Sequence, residues 1–577
     1  MGLFDSNKAL NRQGTLRSTA QTDILDMWGT IFGSPQFDAD RVVDMFGNLG
    51  KLPASGPWEM ALGAIETIGT DMGTISNNYI NAGNLTNFAS LGCTGYMAGN
   101  IGGSGTFNIQ NGPQTIGGVS YAGNGTTIFS GTNTCTGILN MQAGTNIQLG
   151  ADCSNAVTRW AGNLTIGAGA TATQMTGYTT NTFYCQALTN TGTYNIVGCG
   201  VCGAGGLGLA TTVANNGVIN IDKAIWRNQS AWSGTGVVNV LDGGTFQLTT
   251  NAIGSTTTVN INGCGWKTSA CVEQGAIHVS GTGATFAMKI NVQTAACIKN
   301  AINVNNTFSG LLTGSAPLNL GTLNATKPNG IIHFSNVANT YNGTMTVDGT
   351  NLNASYTNSL QYAKIVLVNG GRIGTNVNTS QVIGSLASND PTTYWQSGDP
   401  SNNTIKNNGV TTFAGRLLWT GGLYAANYFL NGPSTNQLTM TGTGNTGNIY
   451  PRNGAKLILQ GATFTAPGGQ VRVQTGATVS AGTSTTASCT YLYIDTTSAL
   501  DVRSITPTST GKITFTTGHG ITAGWKVNAL DALQPGTYPI VQKNNTAVVP
   551  VPTLGINNTG YNVTFTQVGN LINMVVS

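Results

Sequence analysis

Short apolar pairs of period two, separated by Gly- and Asn-rich turns, recur along most of the chain. They fall at Phe107/Ile109, Ile147/Leu149, Leu164/Ile166, Phe183/Cys185 and Tyr194/Ile196, with the adjacent apolar residues Ile128/Phe129 between the first two. They continue at Ile219/Ile221, Val238/Val240, Val259/Ile261 and Ile277/Val279, and again at Leu457/Leu459 and Val471/Val473. Alternation of this kind puts both members of a pair on one face of a strand. A strand so short cannot bury that face alone and must stack on copies of itself. Most intervals are 17 to 21 residues, so the spacing predicts a solenoid with a coil of about 20 residues built from two or three strands.

The stretch Gly330–Leu352, GIIHFSNVANTYNGTMTVDGTNL, holds two such runs, Ile332/Phe334 and Met345/Val347, with Asn342-Gly343 and Asp348-Gly349 as turn signals. Its centre, Asn339-Thr340-Tyr341-Asn342-Gly343, and its end, Met345-Thr346-Val347 with Leu352, resemble the repeat of bacterial autotransporter passenger domains. Asn306-Thr307-Phe308-Ser309-Gly310 echoes that centre. Three further stretches, Thr191–Ile196, Asn216–Ile221 and Gly236–Val240, resemble the strands of large bacterial adhesins. The tail Gly536-Thr537-Tyr538-Pro539-Ile540-Val541 is similar to the last passenger coils. The resemblance implies a right-handed parallel β-helix. It implies no activity, because fold and function are separable.

Composition agrees with a solenoid. Of 577 residues 81 are Gly, and only 7% are charged; each coil spends Gly and Asn on turns and Thr on a solvent face. Nine of the nineteen acids fall between Asp5 and Asp71, which marks a boundary near residue 80. Residues 1–83 are therefore expected to form a small α-helical module and residues 84–577 the β-helix, closed by C-terminal capping coils. In the module, Ile24, Leu25, Trp28, Ile31 and Phe32 share one helical face. Val42, Val43, Phe46 and Leu49 share a second. A heptad runs through Trp58, Ile65, Met72 and Tyr79, with Ala61, Ile68 and Ile75 as the other set. Trp28, Trp58, Ile65, Ile68, Met72, Ile75 and Tyr79 are the candidate attachment and oligomerisation residues, and a homotrimer is the expected assembly. The opening MGLFDSNKALNRQG lacks the pattern of a secretory signal, no apolar run is long enough to span a membrane, and no working autotransporter with a translocating barrel is expected.

Net charge is +4 without a basic stretch, which gives nucleic-acid binding no support. The ten cysteines include the weak Cys199-Gly-Val-Cys202 pair, with no second pair at zinc spacing. They are expected as buried thiols or as a few loop-closing disulfides. His278, His333 and His519 are far apart and suggest neither a triad nor a metal site. No cofactor, metal or catalytic residue is predicted. Paired carboxylates would be needed for glycan cleavage; Asp152/Asp242 or Asp222/Asp242 would meet on one face only if the coils stack suitably, which the sequence does not decide. Lys223, Trp226, Arg227 and Trp232 are expected to pack. The stretch 388–403, long and polar, reads as a loop insertion for recognition. There Asp390, Tyr394, Trp395 and Asp399 are candidate ligand-binding residues, suited to sugar rings and hydroxyls.

These features lead to an expected function as a virion structural protein of a bacteriophage: a tail fibre, spike or capsid-surface appendage. Residues 1–83 would dock on other virion proteins, and the β-helix would adhere to a host surface polysaccharide or protein. Such a protein assembles in the host cytoplasm and resides in the virion. A bacterial cell-surface adhesin or S-layer-like protein, and a polysaccharide-degrading tailspike, are the alternatives.

Overall fold

A computed structural model describes residues 101–577, apart from short stretches of which the longest are 110–125, 151–159, 177–184 and 199–209. The expected helical module, with Trp28, Trp58, Ile65, Ile68, Met72, Ile75 and Tyr79, lies outside the described residues. Among those described there is no α-helix, and none long and apolar enough to cross a membrane. The chain divides into two compact units, 1–297 and 298–577. Each is mainly β and is a parallel β-helix, as the repeated pairs required.

In the first unit one column runs Ile147, Ala172, Tyr194, Ile219, Val238, Val259, Ile290, each in parallel register with the next. All are buried. Two residues on, Ile196, Ile221, Val240 and Ile261 form a second inward column. The intervening positions point outward and are Asn195, Asn220, Asn239, Asn260 and Asn291. Their amides join into a ladder: Asn220 donates to Asn195, Asn239 to Asn220 and Asn260 to Asn239 at 2.8 Å, and Asn291 to Asn260 at 3.1 Å. Asn has the right chemistry because its amide donates at one end and accepts at the other. A second inward ladder runs Phe107, Leu139, Leu164, Leu188, Val213, Trp232. Fully burying such side chains contributes about 1.5–3 kcal/mol each.

Coil length varies more, and runs longer, than the pair spacing suggests. Successive rungs of the Asn ladder lie 25, 19, 21 and 31 residues apart along the chain. The apolar pairs come from more than one sheet of the same coil, so their spacing along the chain understates the coil.

In the second unit, Leu318, Met345, Ile365 and Leu386 form one inward column. Ile332, Leu352, Ile373, Trp395 and Leu417 form another. A seven-stranded sheet carries Leu438, Leu457, Val479, Leu500 and Val527. Parallel pairing gives way to antiparallel at the C-terminus, where Leu571–Val576 pairs with both Gly536–Lys543 and Val563–Val568.

The autotransporter-like motif has a structural meaning in this unit. Asn339, 3% exposed, accepts from the Leu312 N–H at 2.7 Å and donates to the Ser359 carbonyl at 2.9 Å, so it joins three successive coils. The Tyr341 hydroxyl reaches the Ala316 carbonyl at 2.8 Å. Gly343 is required by closeness: a Cβ there would meet the Ala316 carbonyl and the Tyr341 hydroxyl, both at 2.6 Å. Asn306 does not repeat this role. It lies in the strand Asn305–Phe308, paired with Ile332, and Phe308 stacks on Phe334. Asn445 is the closer counterpart. It accepts from Leu417 N–H at 2.8 Å and donates to the Thr463 carbonyl at 3.0 Å.

Candidate functional site

The stretch expected to be a recognition loop divides in two. Tyr394–Ser397 and Asn402–Ile405 are strands of the solenoid. Trp395 is 0% exposed, its ring set edge-on against Tyr428 at 5.2 Å, and the Tyr428 hydroxyl donates to the Trp395 carbonyl at 3.0 Å. Alternation explains this: Trp395 takes the inward slot between Ile373 and Leu417. Tyr394 points outward, with the Arg372 guanidinium 4.7 Å from its ring centre. Asp399 lies outside the described residues.

Asp390 organises the turn that precedes Tyr394. Its carboxylate accepts from Gly370 N–H and Thr392 N–H, both at 2.8 Å, and from the Thr392 hydroxyl at 2.6 Å. Burial works against its charge, but the donors from Thr392, Gly370 and Asn369 outweigh it and hold the pKa below the usual carboxylate value. Asp348 and Asp495 also accept hydrogen bonds from neighbouring turns. Asp348 accepts from Asn369 at 2.7 Å, and Asp495 from the N–H groups of Thr475 and Thr497 at 2.9 Å. These carboxylates bond one coil to the next at corners. Asp222 and Asp242 also meet a common corner: Ile221 pairs with Val240, which places Asp242 one step beyond the position opposite Asp222. Asp152 lies outside the described residues.

Trp226 and Trp232 are interior, 1% and 6% exposed, and join Tyr194 and Phe246 in one edge-to-face cluster. Cys264 and Cys297 form a disulfide, whereas Cys135, Cys185 and Cys489 are buried free thiols. Glu273 lies near the disulfide, but the bonded sulfurs are not thiolate donors for a metal.

The outward face of one sheet in the second unit carries a different grouping. Phe429 pairs in register with Tyr450, and Arg472 with Tyr493. Ile449 pairs with Val471, so Tyr450 and Arg472 are also neighbours. The Phe429 and Tyr450 ring centres are 4.9 Å apart. The Arg452 guanidinium stands 3.9 Å from the Phe429 centre, and that of Arg472 lies 5.5 Å from Tyr450 and 5.7 Å from Tyr493. Arg472 also donates through Nε to Gln470 at 2.7 Å. Tyr493 has room to lie flat because Gly520 sits beneath it; a Cβ there would collide with the ring. Beside this column runs another of amides, in which Asn448 donates to Asn427 at 3.1 Å and Asn427 to Asn402 at 2.9 Å. Burial lowers the Arg452 pKa, while the guanidinium stays charged. The sequence carries a signal for this strip that pair-finding passes over. In NYFLN, NIYPR, QVRV and YLYI the positions between the inward residues are aromatic or Arg, where most coils have Asn or Thr.

No family model matches the chain, and no curated protein matches it either.

Proposed function

We propose that this chain is a structural protein of a bacteriophage particle, a tail fibre, spike or capsid-surface appendage, whose β-helix adheres to the host cell envelope. The supporting observation is how the outward faces are built. Coil after coil presents the same side chains in ladders, Asn in the first unit and aromatic, Arg and amide columns in the second. Such faces offer a repeating contact surface to an extended partner. The carboxylates Asp348, Asp390 and Asp495 serve corners, which favours adhesion over glycan cleavage. Residues 1–83, set apart by their acids, are the docking segment in this reading, and a homotrimer is the assembly.

The test is to raise antibodies against the full chain and label purified particles by electron microscopy. Alongside it, incorporation of the full chain is compared with that of a chain lacking residues 1–83. Labelled particles that exclude the truncated chain are expected. Absence of the protein from particles, or normal incorporation of the truncated form, refutes the reading.

A further inference from the structure

Arg452 and Arg472 carry charge on an outward sheet face without a carboxylate to answer it. Among the described residues the ion pairs are Lys267 with Glu273 and Arg503 with Asp531. Asp495 follows Tyr493 by two residues, but its oxygens are engaged by Thr475 and Thr497. The Nε of Arg452 is buried without a hydrogen-bond partner. Both guanidinium groups are nevertheless fixed, one over Phe429 and the other between Tyr450 and Tyr493. Stacking on rings holds a guanidinium in place; with the Arg452 Nε buried and the Arg472 Nε given to Gln470, the edge formed by the two terminal Nη groups is the one to meet an oxyanion in bidentate fashion.

The two arginines come from successive coils, offset by two residues across the sheet. Their backbones are thus about 8 Å apart, from a 4.8 Å step along the stack and two 3.3 Å steps across it. A strip of this kind is open at both ends. The neighbouring amides of Asn402 and Asn427 keep donor and acceptor capacity beyond the bonds within their column, which suits hydroxyl groups; Asn448 is buried, with its carbonyl on the Gln470 N–H at 3.1 Å. The half-exposed Tyr493 ring adds an apolar face of the kind that sugar C–H groups cover.

We propose that this face, with Arg452, Arg472 and Tyr493 at its centre, binds an anionic polysaccharide laid along the sheet, its acidic groups on the arginines and its hydroxyls on the amides. The proposal rests on the adhesive reading above and names the ligand class. Single-stranded nucleic acid is disfavoured because its regular phosphates call for a basic track, and amides outnumber cations on this face.

The test is affinity electrophoresis of the full chain in gels containing polygalacturonate, hyaluronate or dextran sulfate, with neutral dextran as reference. Retardation by at least one acidic polymer and none by dextran is expected. The double variant Arg452→Gln/Arg472→Gln should weaken that binding about tenfold or more, with an unchanged circular dichroism spectrum. Lys526→Gln, on another sheet, should bind like the parent. No retardation by any acidic polymer, undiminished binding by the double variant, or tighter binding of single-stranded DNA would each overturn the proposal. Particle labelling is read separately. Polymer binding without labelling refutes the virion reading and leaves the strip standing, and labelling without polymer binding does the reverse.

Discussion

The hydroxyl of Tyr341 donates to the carbonyl oxygen of Ala316 across 2.8 Å, tying its coil to the one before it. Asn339, two residues earlier, works in both directions, with its carbonyl on Leu312 N–H and its amide on the Ser359 carbonyl. Both of those backbone groups lose their partner in Asn339→Ala. Leaving two buried polar groups unpaired costs about 2–4 kcal/mol, whereas Tyr341→Phe should cost about 1 kcal/mol. Urea unfolding of the full chain is expected to show the midpoint falling in that order. Equal, small shifts would mean that water replaces the Asn339 bonds.

That motif shows how far the sequence was readable. Its residues reported a coil because each is demanded locally: Asn for a two-way bond, Tyr for a hydroxyl reaching back, Gly for a close approach. The period-two pairs were readable for the same reason. Trp395 was not, since an aromatic among Asp, Ser and Pro residues looks like a binding loop until its register with Ile373 and Leu417 makes it inward. The Phe429 to Tyr493 strip was missed because its members belong to successive coils, far apart in the chain, and meet only through stacking. The adhesin-like strands quoted Asn195, Asn220 and Asn239, but the bonds between them depend on coil register, which residue spacing alone does not give.

Gly217 illustrates why so many glycines are fixed. A Cβ at this position would collide with the Gly192 carbonyl oxygen and lie 2.8 Å from the Gly192 nitrogen, both backbone atoms of the previous coil. The same coil contact carries the Val218 N–H bond to that carbonyl, at 2.8 Å. Neither side can yield without breaking the ladder, so Gly217→Ala should cost more than about 2 kcal/mol. Gly321→Ala is the matched contrast, because its Cβ would find its nearest neighbour at 3.7 Å; a change within about 0.5 kcal/mol is expected. Thermal unfolding of the two variants beside the parent decides the point, and similar losses would argue against close approach as the cause.

His278 gives the first unit an acid-sensitive point. It is 8% exposed and sits in register with Gln247, which accepts from Arg227 Nε at 2.8 Å. Burial, then the Arg227 charge, pushes its pKa down from 6.5 to about 4. The unfolded chain therefore binds the proton first. The neutral ring's contribution is complete above pH 6.5 and is lost as pH falls toward 4, by at most about 3 kcal/mol. Unfolding midpoints between pH 7 and 4.5 should decline less steeply for His278→Gln than for the parent. Parallel curves would show that the folded chain binds the proton as readily as the unfolded chain.

The cysteines make a prediction in which burial and bonding are read separately. Digestion without reductant should yield a peptide pair joined through Cys264 and Cys297. The bond closes 33 residues of chain, so Cys264→Ser/Cys297→Ser should lower stability by about 3–4 kcal/mol if chain entropy dominates. Cys135, Cys185 and Cys489 are buried. Burial raises all three thiols, that of Cys185 to about 12, so little thiolate exists at neutral pH and access is blocked as well. Iodoacetamide should leave these three unmodified in the native chain and label them once denaturant is added. Rapid native labelling of Cys489 would place its strand, Thr486–Ile494, at an opening seam of the solenoid rather than within a closed coil.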